Sequence, residues 1–155
     1  MKHISIVALA IALLLSGVVT GISVVNANGN GYTNPGTGTP GYWKNHPEAW
    51  PVDEIMIGGT LYTKAEAIAY MKQPVKGDKT ITMFKALVAA KLNIAIGCDD
   101  SCIASTIADA DAWLASNPVG SGVAGRSCAW QNGGECLYWT LDRYNNGELC
   151  VPARD

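Results

Sequence analysis

Three groups of residues have the types and spacing to do chemistry. His46 and Glu48 flank Pro47, an imidazole and a carboxylate two positions apart, the pairing that general acid–base catalysis uses. Around them, Tyr42, Trp43 and Trp50 offer flat apolar faces with polar tips, which stack on sugar rings or bury in a protein partner. Farther along, Cys98, Cys102, Cys128, Cys136 and Cys150 supply five thiols. An oxidising compartment turns such a set into two bridges and one odd thiol.

Each group has a plain structural alternative. Pro47 separates His46 from Glu48, so the two need not converge; the imidazole can equally stack on Trp43 or Trp50 and bond to backbone. Five Trp and six Tyr are many for a chain of this size. Trp113 falls on a predicted helix and reads as core, whereas Trp130, Tyr138 and Trp139 fall in or near a predicted loop and join the candidate surface aromatics. Asp99-Asp100 and Asp109-x-Asp111 bring oxygens, but not in the loop spacing that Ca²⁺ sites use. Helix capping accounts for the first pair, and the second points to different sides of a helix. Cys98 and Cys102 have three residues between them, one more than a Cys-x-x-Cys zinc knuckle, with no histidine near. No nucleophile elbow, zinc-protease helix or phosphate loop occurs. The sequence implies no metal and no cofactor.

The elements that must position these groups come next. Residues 1–27 read as an export segment: Lys2 and His3, an apolar run from Ile4, and Val25-Asn26-Ala27 as a cleavage site. The uncharged stretch from Ile4 to Val25, 22 residues, also has the length of a retained anchor. After cleavage, ten Lys and Arg would face thirteen Asp and Glu, a net charge of 10 − 13 = −3. Such a domain lacks the basic patch that nucleic acid or an anionic membrane surface requires. Membrane contact would come only through an uncleaved N-terminal segment. Residues 28–38, rich in Gly, Asn and Thr, read as a flexible spacer.

The domain proper, 39–155, is expected to be mainly α: a small disulfide-containing bundle of about four helices with a minor β-hairpin. Thr39 caps and Pro40 opens a short turn over 40–45, and Pro47 stops it. Gly58-Gly59 suits a two-residue hairpin turn between 54–57 and 60–62. Thr63 and Glu66 form a capping box for a helix over 64–73, which Pro74 ends. Ile81, Phe84, Val88, Leu92 and Ala95 repeat at helical spacing over 80–96, with Leu87 and Ile94 beside them. A third helix is expected over 102–116, capped by Asp99, Asp100 and Ser101, with Ile103, Ile107, Ala110 and Leu114 inward. The five glycines of 119–134 predict a loop, and a last helix follows over 135–145 with Leu137, Leu141 and Tyr144 inward. Among fifteen possible pairings, the expected bridges are Cys102–Cys150 and Cys128–Cys136, the latter folded back through Gly133-Gly134. Cys98 is then unpaired or intermolecular.

The wording of residues 39–51 (TPGYWKNHPEAWP) resembles the opening of a domain that recurs in secreted and surface proteins of prokaryotes. The similarity continues through 62–67, 89–93, 108–114 and 141–147, nearly the whole exported chain. That family has no established activity, so the resemblance implies an extracellular or cell-surface location without a chemistry. Three functional readings follow. The first is a non-enzymatic domain of adhesion or matrix binding, holding glycan or surface protein through Tyr42, Trp43, His46 and Trp50. The second is a self-associating subunit of an extracellular filament or surface layer, joined through the spacer or Cys98. The third is a small secreted hydrolase using His46 and Glu48.

Overall fold

The computed structural model describes residues 35–154; the export segment 1–27 and spacer residues 28–34 lie outside them. Helix α1 (Pro40–Asn45) and a 3₁₀ turn (Pro47–Ala49) lead into strands β1 (Glu54–Ile57) and β2 (Thr60–Thr63). Helices α2 (Lys64–Lys72), α3 (Lys79–Ala95) and α4 (Ala104–Ser116) follow. A π turn (Trp130–Gly134) then runs directly into α5 (Glu135–Asn145). The fold is thus mainly helical with one antiparallel hairpin.

α3 is the central element because it is apolar on nearly every side, and α1, α2, α4, α5 and β1 all pack on it. Phe84, Leu87, Val88 and Leu92 are fully buried, as the periodicity predicts, and so are Met83, Ala86, Ala89 and Ala90. The predicted stripe was therefore too narrow, and it ran too far: Ala95, in the last turn, is exposed. The hairpin turns through Gly58 and Gly59, both at positive φ (+58° and +77°), where side chains are strained. It turns Ile55 and Ile57 inward and leaves Met56 and Leu61, cross-strand partners, half exposed. Lys91 ties it down, pairing with Asp111 and donating to the Met56 carbonyl at 2.6 Å, while Asp111 accepts from the Gly58 N–H at 2.8 Å. The capping box forms in both directions: Thr63 Oγ1 accepts from Glu66 N–H, and Glu66 Oε2 accepts from Thr63 N–H.

Three boundaries differ from expectation. The spacer does not extend to residue 38. Thr37 is 1% exposed; its N–H donates to the Pro152 carbonyl, and its own carbonyl accepts from Arg154 N–H. Pairing with the C-terminal tail orders a segment whose composition alone cannot. α4 starts at Ala104 instead of Cys102, because the Asp99 carboxylate caps Ser101 in a separate turn before it. The expected loop 119–134 is helical from 128 onward. Ser127 caps that helix, its Oγ accepting from Trp130 N–H at 3.3 Å, and the π turn then carries it across both glycines.

Cys102 and Cys150 form a disulfide with Cα atoms 6.0 Å apart, closing 48 residues. In the chain-entropy account a loop of that length contributes about 4 kcal/mol. Cys98, Cys128 and Cys136 are free. The expected Cys128–Cys136 bridge is absent for a geometric reason. Both residues lie on one helical run, where a rise of 1.5 Å per residue separates them by about 12 Å, beyond disulfide reach. Cys98 is 5% exposed, its Sγ 3.5 Å from the Gly36 carbonyl, so it offers no intermolecular link.

Candidate functional site

The aromatics around residue 46 divide sharply. Trp43 is fully buried, and its indole N–H donates to Asn93 Oδ1 at 3.0 Å. Trp50 is 7% exposed and donates to the Trp43 carbonyl at 2.8 Å. Neither indole can offer a face to a ligand, which corrects the expectation that both do. The cause is one side chain on α3. Asn93 accepts from Trp43 and from Gly38 N–H, and donates to the Gly38 carbonyl and to Asn145 Oδ1, filling all four of its hydrogen-bonding positions. Asn145 in turn donates to the Ala86 carbonyl at 2.9 Å. A fully satisfied network of this kind specifies one packing of the core.

Tyr42 and His46 remain nearer solvent. His46 stacks on Tyr42, with centroids 4.6 Å apart and planes 27° apart, instead of on Trp43 or Trp50. The Arg154 guanidinium lies 4.5 Å over the other ring partner, Tyr42. His46 Nδ1 meets Glu48 Oε1 at 2.9 Å on an exposed surface. Glu48 is held below the usual carboxylate range, first by a backbone N–H and then by His46. The pair has acid–base geometry, but it lines neither cavity described below.

A second aromatic group joins α4 to the helical run that begins at residue 128. Trp113, Trp130, Tyr138 and Trp139 form a row, with successive centroids 5.9, 5.8 and 5.2 Å apart. Trp113 explains the π turn. Its indole lies against Gly133 and Gly134, where a Cβ at Gly134 would come within 2.9 Å of that ring, and its N–H donates to the Ala129 carbonyl. A side chain entering the backbone ladder is a usual cause of such a bulge. Lys79 Nζ lies over the Trp130 ring, 5.0 Å from its centroid. The row runs from core to surface: Trp130 is 2% exposed and Trp139 54%.

Tyr138, midway along the row, walls a cavity of about 220 Å³ between α3, α5 and the start of α1. Thr82, Lys85 and Asp142 supply its polar groups, with Pro40 and Val75 completing the wall. Burial, then the nearby Asp142 carboxylate, raises the Tyr138 phenol above its ordinary value. Burial, then Lys44, lowers Lys85, whose ammonium donates to the Gln73 carbonyl at 2.6 Å. Tyr138, Asp142, Lys85 and Thr82 thus line one opening the size of a small ring. A tighter cavity of about 90 Å³ opens beneath the hairpin turn, lined by Ile57, Gly58, Thr60, Tyr62, Phe84 and Leu114.

Thr82, Lys85 and Asp142 went unnoticed in the sequence because only α3 packing across α5 brings them together. Tyr138 and Trp139 were visible as candidates, and the Ser127 cap was a readable helix start that Gly133-Gly134 masked. Asp111, a candidate calcium ligand, is used in fixing the hairpin, and among the described residues no cluster of three or more His, Cys, Asp or Glu is placed to hold a metal. No helix of the described residues is long and apolar enough to cross a membrane. No protein-family model, curated protein or solved structure matches the chain.

Proposed function

We propose that the chain is an exported, non-enzymatic domain of the cell surface or matrix, attaching by binding glycan at the Tyr138 groove. The observation carrying this reading is the grouping of Tyr138, Asp142, Lys85 and Thr82 around one small opening, beside the exposed Trp139. A sugar ring has apolar C–H faces that stack on aromatics and hydroxyls that pair with carboxylate, ammonium and hydroxyl groups. The opening is smaller than the roughly 300–1,000 Å³ of drug-sized sites, which suits a single ring of a longer chain. The extracellular setting rests on the export segment and on the resemblance of residues 39–51 to surface-protein domains. The hydrolase reading ranks lower because the exposed His46–Glu48 pair stands outside the groove.

A screen of the purified chain against cell-wall polysaccharides and defined glycans tests the proposal. Tyr138→Ala and Trp139→Ala should each weaken binding about tenfold, the equivalent of about 1.4 kcal/mol, and His46→Ala should not. Equal binding by wild type and both aromatic variants would remove the site.

A further inference from the structure

With Cys102–Cys150 formed and Cys98 buried, Cys128 and Cys136 are the two thiols left at the surface. They lie eight residues apart on one helical run, and a regular α-helix would set them about 80° apart around its axis. The π turn between them changes this. It takes in one residue more than an α turn, so eight residues advance the helix as seven would, through about 700°, roughly 20° short of two turns. Trp130 and Tyr138, also eight apart across this turn, meet with centroids at 5.8 Å, which supports that alignment. Cys128 and Cys136 thus share one line along the outer face, with Gln131 and Asn132 exposed between them. Trp139, about 60° round from Cys136, is the large exposed apolar side chain at the edge of that line.

Two aligned thiols that cannot reach each other match the same two thiols on a second copy. We infer that two copies of this chain join antiparallel through this face, Cys128 of each bonded to Cys136 of the other. A twofold axis at the level of Asn132 brings both pairs together at once, since such a face sets i against j and j against i. Helices 8–10 Å apart, with Cα atoms at a radius of about 2.3 Å, place facing Cα atoms within about 6 Å of each other. That is the span a disulfide needs. The small, exposed Ala129 and Gly133 between the cysteines leave room for the approach.

The chemistry is thiol–disulfide exchange with a small-molecule or protein disulfide as oxidant, the class that also closes Cys102–Cys150. The Cys128 thiolate attacks the oxidant's disulfide, forming a mixed disulfide and releasing one thiolate of the oxidant. Cys136 of the second copy then attacks the Cys128 sulfur, loses its proton to solvent, and displaces the second thiolate. Each bridge oxidises two protein thiols and reduces one oxidant disulfide to two thiols.

The full chain, incubated with a mixture of oxidised and reduced glutathione, should run as a reducible dimer on non-reducing gels. Mass spectrometry should find the peptide holding Cys128 joined to the one holding Cys136. The deciding arm is complementation. Cys128→Ser alone and Cys136→Ser alone should stay at least tenfold poorer in dimer than an equimolar mixture of the two, which can form one of the two bridges. Dimerisation of either variant alone as well as the mixture would overturn the antiparallel pairing. A wild-type monomer with both thiols alkylatable, or with Cys128 bonded to Cys136 of its own chain, would overturn the proposal outright. Both positions are exposed, so circular dichroism of the serine variants should match wild type. The experiment reads no glycan, and its result is independent of the groove.

Discussion

Two aromatic regions of similar density end in opposite states. Around residue 43 the indoles turn inward: Trp43 and Trp50 are buried, and their N–H groups find Asn93 and a backbone carbonyl. Around residue 138 the rings form a file from the core outward, ending at an exposed indole beside a polar groove. The comparison teaches that aromatic content does not separate core from binding face; the availability of a buried partner for the polar tip does. Near Trp43, α3 presents Asn93 with two free acceptor positions, and the indole closes down on one of them. Among the described residues no buried acceptor meets the Trp139 indole, and the residue is 54% exposed.

Substitutions can break this contrast or sharpen it. Trp43→Ala should cost the most, about 3–5 kcal/mol for a buried large-to-small change, read as a lower urea midpoint. Asn93→Ala should follow at about 3 kcal/mol, because the Trp43 N–H, both Gly38 backbone groups and Asn145 Oδ1 lose their partner together. A cycle with Asn145→Ala should be strongly non-additive, as expected of one connected network. In the other region Gly134→Ala should cost about 1–3 kcal/mol, since the new Cβ meets the Trp130 and Trp113 rings at 2.8 and 2.9 Å. It should also redshift tryptophan fluorescence as the row loosens. Trp139→Ala should leave stability within about 0.5 kcal/mol of wild type while weakening glycan binding. A large loss of stability there would erase the distinction between the two regions.

The smallest effect concerns acid. The folded-state value of Glu48 lies below its ordinary one. Its contribution is therefore present above the ordinary carboxylate range and is lost as pH falls through the lowered value. Both partners are largely exposed, where such pairs are weak. An NMR titration should show His46 ring shifts moving with Glu48 protonation while the unfolding midpoint barely changes. A steep acid loss of stability that His46→Ala abolishes would place the pair in the fold's foundation after all.

Local signals were legible wherever one residue type answers one backbone need. The Thr39 cap, the Thr63–Glu66 box, the Gly58-Gly59 turn and the α3 periodicity each act within a few residues, and each stands where its residues put it. Gly133-Gly134 misled because glycine answers two different needs. Its usual role is to break a helix; here it keeps the helix and admits the Trp113 ring. The Cys102–Cys150 pairing joins the turn before α4 to the tail, as expected, whereas Cys128–Cys136 fails because the helical run from residue 128 holds those two thiols apart.

The chain by itself determined its caps, its hairpin, its central apolar helix and a supply of oxidisable sulfur, all set by neighbours within one or two turns. Tertiary structure alone decided which tryptophans are core, which thiols face outward, and that Thr82, Lys85, Tyr138 and Asp142 share one opening. Those outcomes depend on which distant groups fill each hydrogen-bonding position and each volume: Asn93 reaches residues 50 to 55 positions away, a distance no local pattern encodes.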